Sequence, residues 1–146
     1  MKRDPALLTL SHDHHQALFV AQKLSRANAE TAGDARVAFL AYWNDHGRDH
    51  FRLEEEVLFP AYAGHCDPHH PLMAWVLCDH AEIRNRAHAI AAEATTATEV
   101  LNALGIRLAE HVRLEERELF PLIEDALPRE RLEELAAALD QAHGAS

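Results

Sequence analysis

Apolar residues recur every three or four positions along almost the whole chain, the spacing that turns one stripe of a helix towards a core. Leu7, Leu10, Ala17, Leu18, Ala21 and Leu24 form the first stripe, in a helix that starts near Asp4-Pro5 or at Ser11 and runs to about Glu30. Gly33-Asp34 then breaks the pattern, with Asp34 placed to cap the next helix. The second helix runs from about Ala35 to Tyr62 and carries Phe39, Trp43, Leu53 and Val57 on one side. "AGHCDPHHP" reads as a loop, and Pro71 opens a third helix bearing Met73, Val76, Leu77, Ile83, Ala87 and Ile90. Beyond "TTAT" at residues 95–98, a fourth helix from about Glu99 to Asp125 carries Leu101, Leu104, Leu108, Leu119 and Leu122. Pro128 begins a short fifth helix, whose stripe is Leu132, Leu135, Ala136 and Leu139. Pro60 and Pro121 fall late in their helices, where they are expected to kink or end them.

Four long helices with short connections predict an all-α fold, an up-down-up-down four-helix bundle with an additional C-terminal helix. The expected organisation is a single domain over residues 1–146, with the bundle core at about 8–125 and the C-terminal helix at about 128–143. Charge narrows the partners: 24 acidic residues against 14 Lys and Arg leave a formal net charge of −10. That balance repels phosphate backbones and anionic lipid, so neither nucleic acid nor membrane is an expected partner. Two cysteines are too few for a disulfide framework, and "MKRDPALLTLSHDHH" lacks the apolar stretch of a secretory signal. A cytoplasmic location is expected.

The apolar stripes are interrupted in a regular way. "HFRLEEEVLFP" at residues 50–60 returns as "HVRLEERELFP" at residues 111–121, identical at eight of eleven positions. His50 and Glu54 are four apart, as are His111 and Glu115, so each pair shares one helical face, and that face is the core stripe. His14 lies between Leu10 and Ala17 on the first stripe, and His80 between Leu77 and Ile83 on the third. A glutamate aimed into a bundle core is costly unless a cation neutralises it. Four inward histidines with two inward glutamates make a stoichiometry for two metals, each with two terminal histidines and both bridged by the carboxylates. The candidate metal ligands are therefore His14, His50, Glu54, His80, His111 and Glu115. Imidazole and carboxylate without thiolate suit iron, and also manganese or zinc.

Each chosen histidine follows an acid, Asp13, Asp49, Asp79 or Glu110, and such acids are expected to orient a ligating imidazole on a neighbouring helix. The competing reading, core histidines satisfied by ordinary hydrogen bonds, leaves the two in-register glutamates without a purpose. His46, one turn before His50, is an additional ligand candidate, and Glu116 could replace Glu115 by the longer spacing. His12 and His15 fall off the core face, "HCDPHH" at residues 65–70 reads as a solvated loop, and Cys78 as a small buried residue. Tyr42, Tyr62 and Arg84 are read as ordinary packing residues.

With "RLEE" and "LFP" doubled around an H-x-x-x-E…H…H-x-x-x-E series, the chain resembles the hemerythrin-like (HHE cation-binding) family over about residues 8–125. The resemblance implies a four-helix bundle holding a non-haem di-iron centre, with His14 and His50 on one iron and His80 and His111 on the other. Glu54 and Glu115 would bridge them. Oxygen-carrying members have a third-helix H-x-x-x-H pair and a fourth-helix H-x-x-x-x-D; here Arg84 stands four residues after His80, and Glu115 keeps the shorter spacing. That departure speaks against simple reversible oxygen carriage and towards branches associated with nitric oxide, oxidative stress, iron sensing or peroxide. The cluster-repair branch, which carries cysteines in an added amino-terminal domain, is not expected.

The expected function is binding or sensing of a small ligand (dioxygen, nitric oxide or a related oxidant) at two non-haem iron ions. The alternative is a di-iron enzyme that consumes peroxide, catalase-like, or that acts in nitrosative or oxidative stress defence. A zinc-filled structural bundle is the reading without redox chemistry.

Overall fold

The computed structural model describes residues 2–93 and 95–144. A 3-10 turn, Pro5–Leu7, leads into α1, Leu8–Ser25. A second rod, α2, covers residues 32–63 as five consecutive helical segments: Ala32–Tyr42, Trp43–Gly47, Arg48–Leu53, Glu54–Leu58 and Phe59–Ala63. Next comes α3, Pro71–Ala92. The fourth rod, α4, covers residues 98–126 as Thr98–Leu114, Glu115–Leu119 and Phe120–Ala126, and α5 is Arg129–Gly144. The described residues are helical with no strands, a five-helix arrangement in which α1 packs most extensively on α4 and also on α2. The expected all-α bundle with an added C-terminal helix is what forms. Among the described residues, no helix is long and apolar enough to cross a membrane.

The α1–α2 boundary differs from expectation. Gly33 and Asp34 lie inside the first turn of α2, and the break falls earlier, at residues 26–31. Asn28 sets it: its Oδ1 accepts from the backbone N–H of Glu30 and Thr31, while Thr31 Oγ1 accepts from the N–H of Asn28. Such side-chain-to-backbone bonds offer the chain an alternative to continuing the helix. Three carbonyls at and just beyond the end of α1, those of Leu24, Ser25 and Ala27, accept from Asn102 Nδ2 of α4. Gly105, one turn further along α4, lets the two helices close at the same place. A Cβ there would sit 2.5 Å from Ser25 N, 2.6 Å from Ala21 O and 2.8 Å from Leu24 Cβ. Gly105→Ala gains up to ~1 kcal/mol of helix propensity. Overpacking against backbone that cannot rotate away costs about 1–3 kcal/mol, so a net loss of stability is expected. Urea denaturation checks it, and an unchanged midpoint would contradict the close approach.

Three stretches of the long rods are π-helical, and their bonding shows it: the N–H groups of Arg48, Phe59 and Phe120 reach back five residues, to the carbonyls of Trp43, Glu54 and Glu115. Two of these wide turns explain the prolines. Pro60 and Pro121 come two residues after them, and the helices continue to Ala63 and Ala126 rather than ending. A proline in a regular helix lacks one N–H and clashes with the carbonyl four residues back; the added residue of a π-turn accommodates both faults.

The core is split in two. One apolar cluster includes Ala17, Leu24, Phe39, Trp43, Phe51, Ile83, Ile90, Leu104 and Leu108. The other includes Leu7, Leu10, Leu53, Leu58, Phe59, Met73, Val76, Leu119 and Ile123, and receives Leu132, Leu135 and Leu139 of α5. Each of those three leucines adds roughly 1.5–3 kcal/mol by burial, and Arg129 ties the start of α5 to both oxygens of Asp4 at 2.8 and 3.1 Å. Leu77, expected on the α3 stripe, is 45% exposed. Between the two apolar clusters lies a polar layer.

Candidate metal centre

That layer consists of His14, His50, Glu54, His80, His111 and Glu115, the six buried polar or charged residues among those described. The structure brings together all six residues expected from the sequence. They fall into two groups, His14, His50, Glu54 and Glu115, and Glu54, His80, His111 and Glu115, with the offered ligand atoms of each within 4.8 Å of one another. Both carboxylates belong to both groups. Glu54 Oε2 lies 3.4 Å from His50 Nε2, and its Oε1 lies 3.1 Å from His80 Nε2. Glu115 Oε1 lies 2.9 Å from His14 Nε2 and 3.4 Å from His111 Nε2, and its Oε2 faces His80 Nε2 at 3.9 Å.

Most of these close approaches are not hydrogen bonds. Both Glu54 oxygens, Glu115 Oε2 and the Nε2 atoms of His50, His80 and His111 are buried with no hydrogen-bond partner. Each buried, unsatisfied polar group costs about 1–3 kcal/mol, more when charged. Cations between the two carboxylates and the four imidazoles would satisfy all of these atoms at once, so the residues present fit a pair of metal ions.

The other ring nitrogen of every histidine is already committed. His50 Nδ1 donates to Asp13 Oδ2 at 3.1 Å, and His111 Nδ1 to Asp79 Oδ2 at 3.1 Å. His80 Nδ1 donates to Glu55 Oε2 at 2.6 Å, and His14 Nδ1 to Glu116 Oε2 at 2.8 Å. A carboxylate can only accept, so each Nδ1 carries a proton and it is the Nε2 atoms that are turned to the centre, where a metal would displace any proton they hold. Without one, His14 Nε2 donates to Glu115 Oε1 at 2.9 Å. The expectation that preceding acids serve neighbouring helices holds for Asp13 and Asp79. For His14 and His80 the acceptors are instead Glu116 and Glu55, the residues after the two inward glutamates. Glu115, not Glu116, is the inward one.

The repeated phrase is thereby accounted for. In each copy the first histidine and the first glutamate face the centre. The next glutamate holds the histidine of the adjoining helix, and the phenylalanine of "LFP" lies against that same ring. Phe120 stacks on His14 at 5.4 Å between centroids, and Phe59 on His80 at 5.9 Å. Phe51 adds a closer stack on His80, at 3.8 Å and 5°.

Arg84 is more than a packing residue. Its guanidinium donates to both oxygens of Glu55, at 2.7 and 2.9 Å, and lies over the Phe51 ring. Arg107 likewise donates to Asp79 Oδ1 at 2.6 Å, and Ser11 Oγ to Glu116 Oε2 at 2.7 Å. His46 is not in the cluster: it is exposed, because the π-turn Trp43–Gly47 rotates it out of phase with His50. The regular segment Arg48–Leu53 keeps His50 and Glu54 in phase. His12 and His15 are exposed, and in the 65–70 loop His70 Nδ1 caps α3 by accepting from the N–H of Leu72. Cys78, expected to be buried, is exposed, while Tyr62 packs in the second apolar cluster.

Electrostatics show how strongly this layer holds positive charge. Burial pushes the His14 imidazole down, but Glu115 and Glu116 outweigh it and raise its pKa to about 9. For His50 burial is overcome by Glu54 and Asp13, which raise it to about 10, and for His80 by Glu115, Glu54 and Glu55, to about 11. Burial raises Glu115, yet the imidazoles of His111, His14 and His80 hold it well below the usual carboxylate range. Glu55 is pushed up by burial and down by His80 and Arg84, and settles at about 2. Burial, with Asp13, Glu54 and Glu115 adding to it, pushes the nearby Tyr42 phenol up. In metal-free protein, protons are the cations that occupy the cluster.

A helix bundle in which two buried His/Glu groups share both of their carboxylates is a cation-binding domain with the makings of a di-metal site. The family description "Hemerythrin HHE cation binding domain" matches residues 6–123, and the chain belongs to that family. No curated protein and no solved structure matches at a significant level.

Proposed function

We propose that the chain carries two non-haem iron ions in this layer and binds or senses a small oxidant there, dioxygen, nitric oxide or peroxide. His14 and His50 would hold one ion, His80 and His111 the other, and Glu54 and Glu115 would bridge them. The observation that carries this reading is the pair of four-residue groups sharing two carboxylates, with most of their donor atoms unpartnered in the core. Histidine and carboxylate donors that leave coordination positions open are characteristic of non-haem iron sites that take up small ligands. Iron bound there supplies redox chemistry and those open positions. The chain's own residues fix the imidazole tautomers through Asp13, Glu55, Asp79 and Glu116, and the two apolar clusters exclude bulk water.

Metal content by mass spectrometry, with absorption spectra taken anaerobically, then in air and with peroxide, tests this. The expected result is two irons per chain and charge-transfer bands that respond to oxidants. A stable adduct favours binding or sensing, and oxygen evolved from peroxide favours turnover. A single colourless zinc, or no metal, would sink the di-iron reading. Metal at a thousand times its dissociation constant stabilises by about 4 kcal/mol per site. Each kcal/mol moves the melting temperature of a chain this size by about 2–4 °C. Chelation should therefore lower melting by roughly 10 °C or more, and calorimetry checks it.

A further inference from the structure

The six buried residues are not equally enclosed. A surface cavity of about 220 Å³ opens against the His50 side, bordered by Asp13, Asp45, His46, Asp49 and His143, with His50 and Leu53 as its buried wall. His50 is 4% exposed, its Nδ1 donates to Asp13 in the same wall, and its Nε2 is unpartnered and faces the cluster. Cavity and cluster are thus separated by one imidazole. The grooves between α1 and α4 and between α2 and α3, about 540 and 340 Å³, touch none of the six.

The half built on His80 and His111 carries positive charge outside it instead. Arg84 covers Glu55, and Arg107 spans Asp79 and Glu82 at 2.6 and 2.7 Å. A cation approaching there meets guanidinium groups whose carboxylates are already engaged. On the His50 side the cavity presents three carboxylates and two imidazoles. Arg52 lies 3.6 Å from Asp49 and is about half exposed.

We propose that divalent first-row transition cations reach the centre through this cavity, drawn in by Asp45 and Asp49 and passed along the edge of His50. The His14–His50 position is then the one that loads and exchanges directly with solvent. Carboxylates facing a low-dielectric wall focus the field and raise association rates by about ten- to a thousandfold. The His46 imidazole beside them favours transition metals over calcium or magnesium. This rests on the metal centre proposed above.

The test is stopped-flow uptake of cobalt(II) by the full chain after chelation, read from its visible absorption. Asp45→Asn with Asp49→Asn should slow association about tenfold and flatten its dependence on salt. End-point stoichiometry and the melting temperature of the loaded protein should stay as in the unsubstituted chain. Asp34→Asn with Glu99→Gln, two exposed acids at the other end of the bundle, controls for net charge and should leave the rate unchanged. A normal end-point with unchanged rate and salt dependence in the Asp45/Asp49 variant overturns the route alone, as does equal slowing in the control. A chain that takes up no cobalt overturns the metal centre and the route together.

Discussion

Glu115→Gln should lower the metal content from two ions to at most one and weaken what remains about a hundredfold or more. The reason is that Glu115 belongs to both four-residue groups, so one substitution removes an anionic donor from each. It also removes the charge that faces His14, His80 and His111. The isosteric amide keeps the shape of the layer, so a collapsed fold is not the expected cause. Two comparisons separate bridging from other roles. His14→Ala removes a donor from one group only and should cost a single metal. Glu55→Gln leaves all six inward residues in place and loosens only the His80 tautomer. It should therefore keep two metals while losing about 10–100-fold in affinity. Isothermal titration with metal analysis of the end-points reads all three. A Glu115→Gln chain that loses one metal yet holds the other as tightly as His14→Ala does would contradict the shared carboxylate.

The inward set was legible because helical phase and the internal repeat point to the same residues. His50 and Glu54, or His111 and Glu115, could not lie on the core stripe by accident twice. What holds that set was less legible, because Glu55, Glu116, Arg84 and Arg107 act across helices, and their partners depend on how the rods are rotated. The π-turns explain both an error and a puzzle. One residue of widening carries no compositional mark, yet it moves His46 out of the cluster and lets Pro60 and Pro121 stay inside their helices. The α1 boundary was misplaced for a local reason: Gly33 is a weak breaker beside the paired side-chain bonds of Asn28 and Thr31. Gly105 and Asn102, which close α1 on α4, leave no mark on the sequence pattern because neither disturbs the apolar period.

Melting temperatures of metal-free and metal-loaded protein should move in opposite directions as pH rises from about 6 to about 7.5, and above that only the metal-free one should keep falling. In the metal-free chain His14, His50 and His80 carry pKa values of about 9, 10 and 11, raised from 6.5. A raised histidine contributes stability that is fully present below the unfolded value and is lost as pH climbs through the folded one. Metal-free protein is therefore most stable near pH 6 and weakens steadily towards pH 9 and beyond. On the acid side its limit comes from Glu55 and Glu115, whose depressed pKa values give stability that disappears as pH falls below the ordinary carboxylate range. In loaded protein the coordinating imidazoles are neutral, while the unfolded chain binds protons below about pH 6.5. Loaded protein therefore gains stability from pH 5 to about 7.5 and then levels off. Loading at pH 7 must expel protons from the three raised histidines, so the same cause predicts proton release on metal binding, measurable by titration in buffers of different ionisation enthalpy. Parallel pH profiles for the two forms, or metal binding without proton release, would mean that the metal sits elsewhere than among these imidazoles.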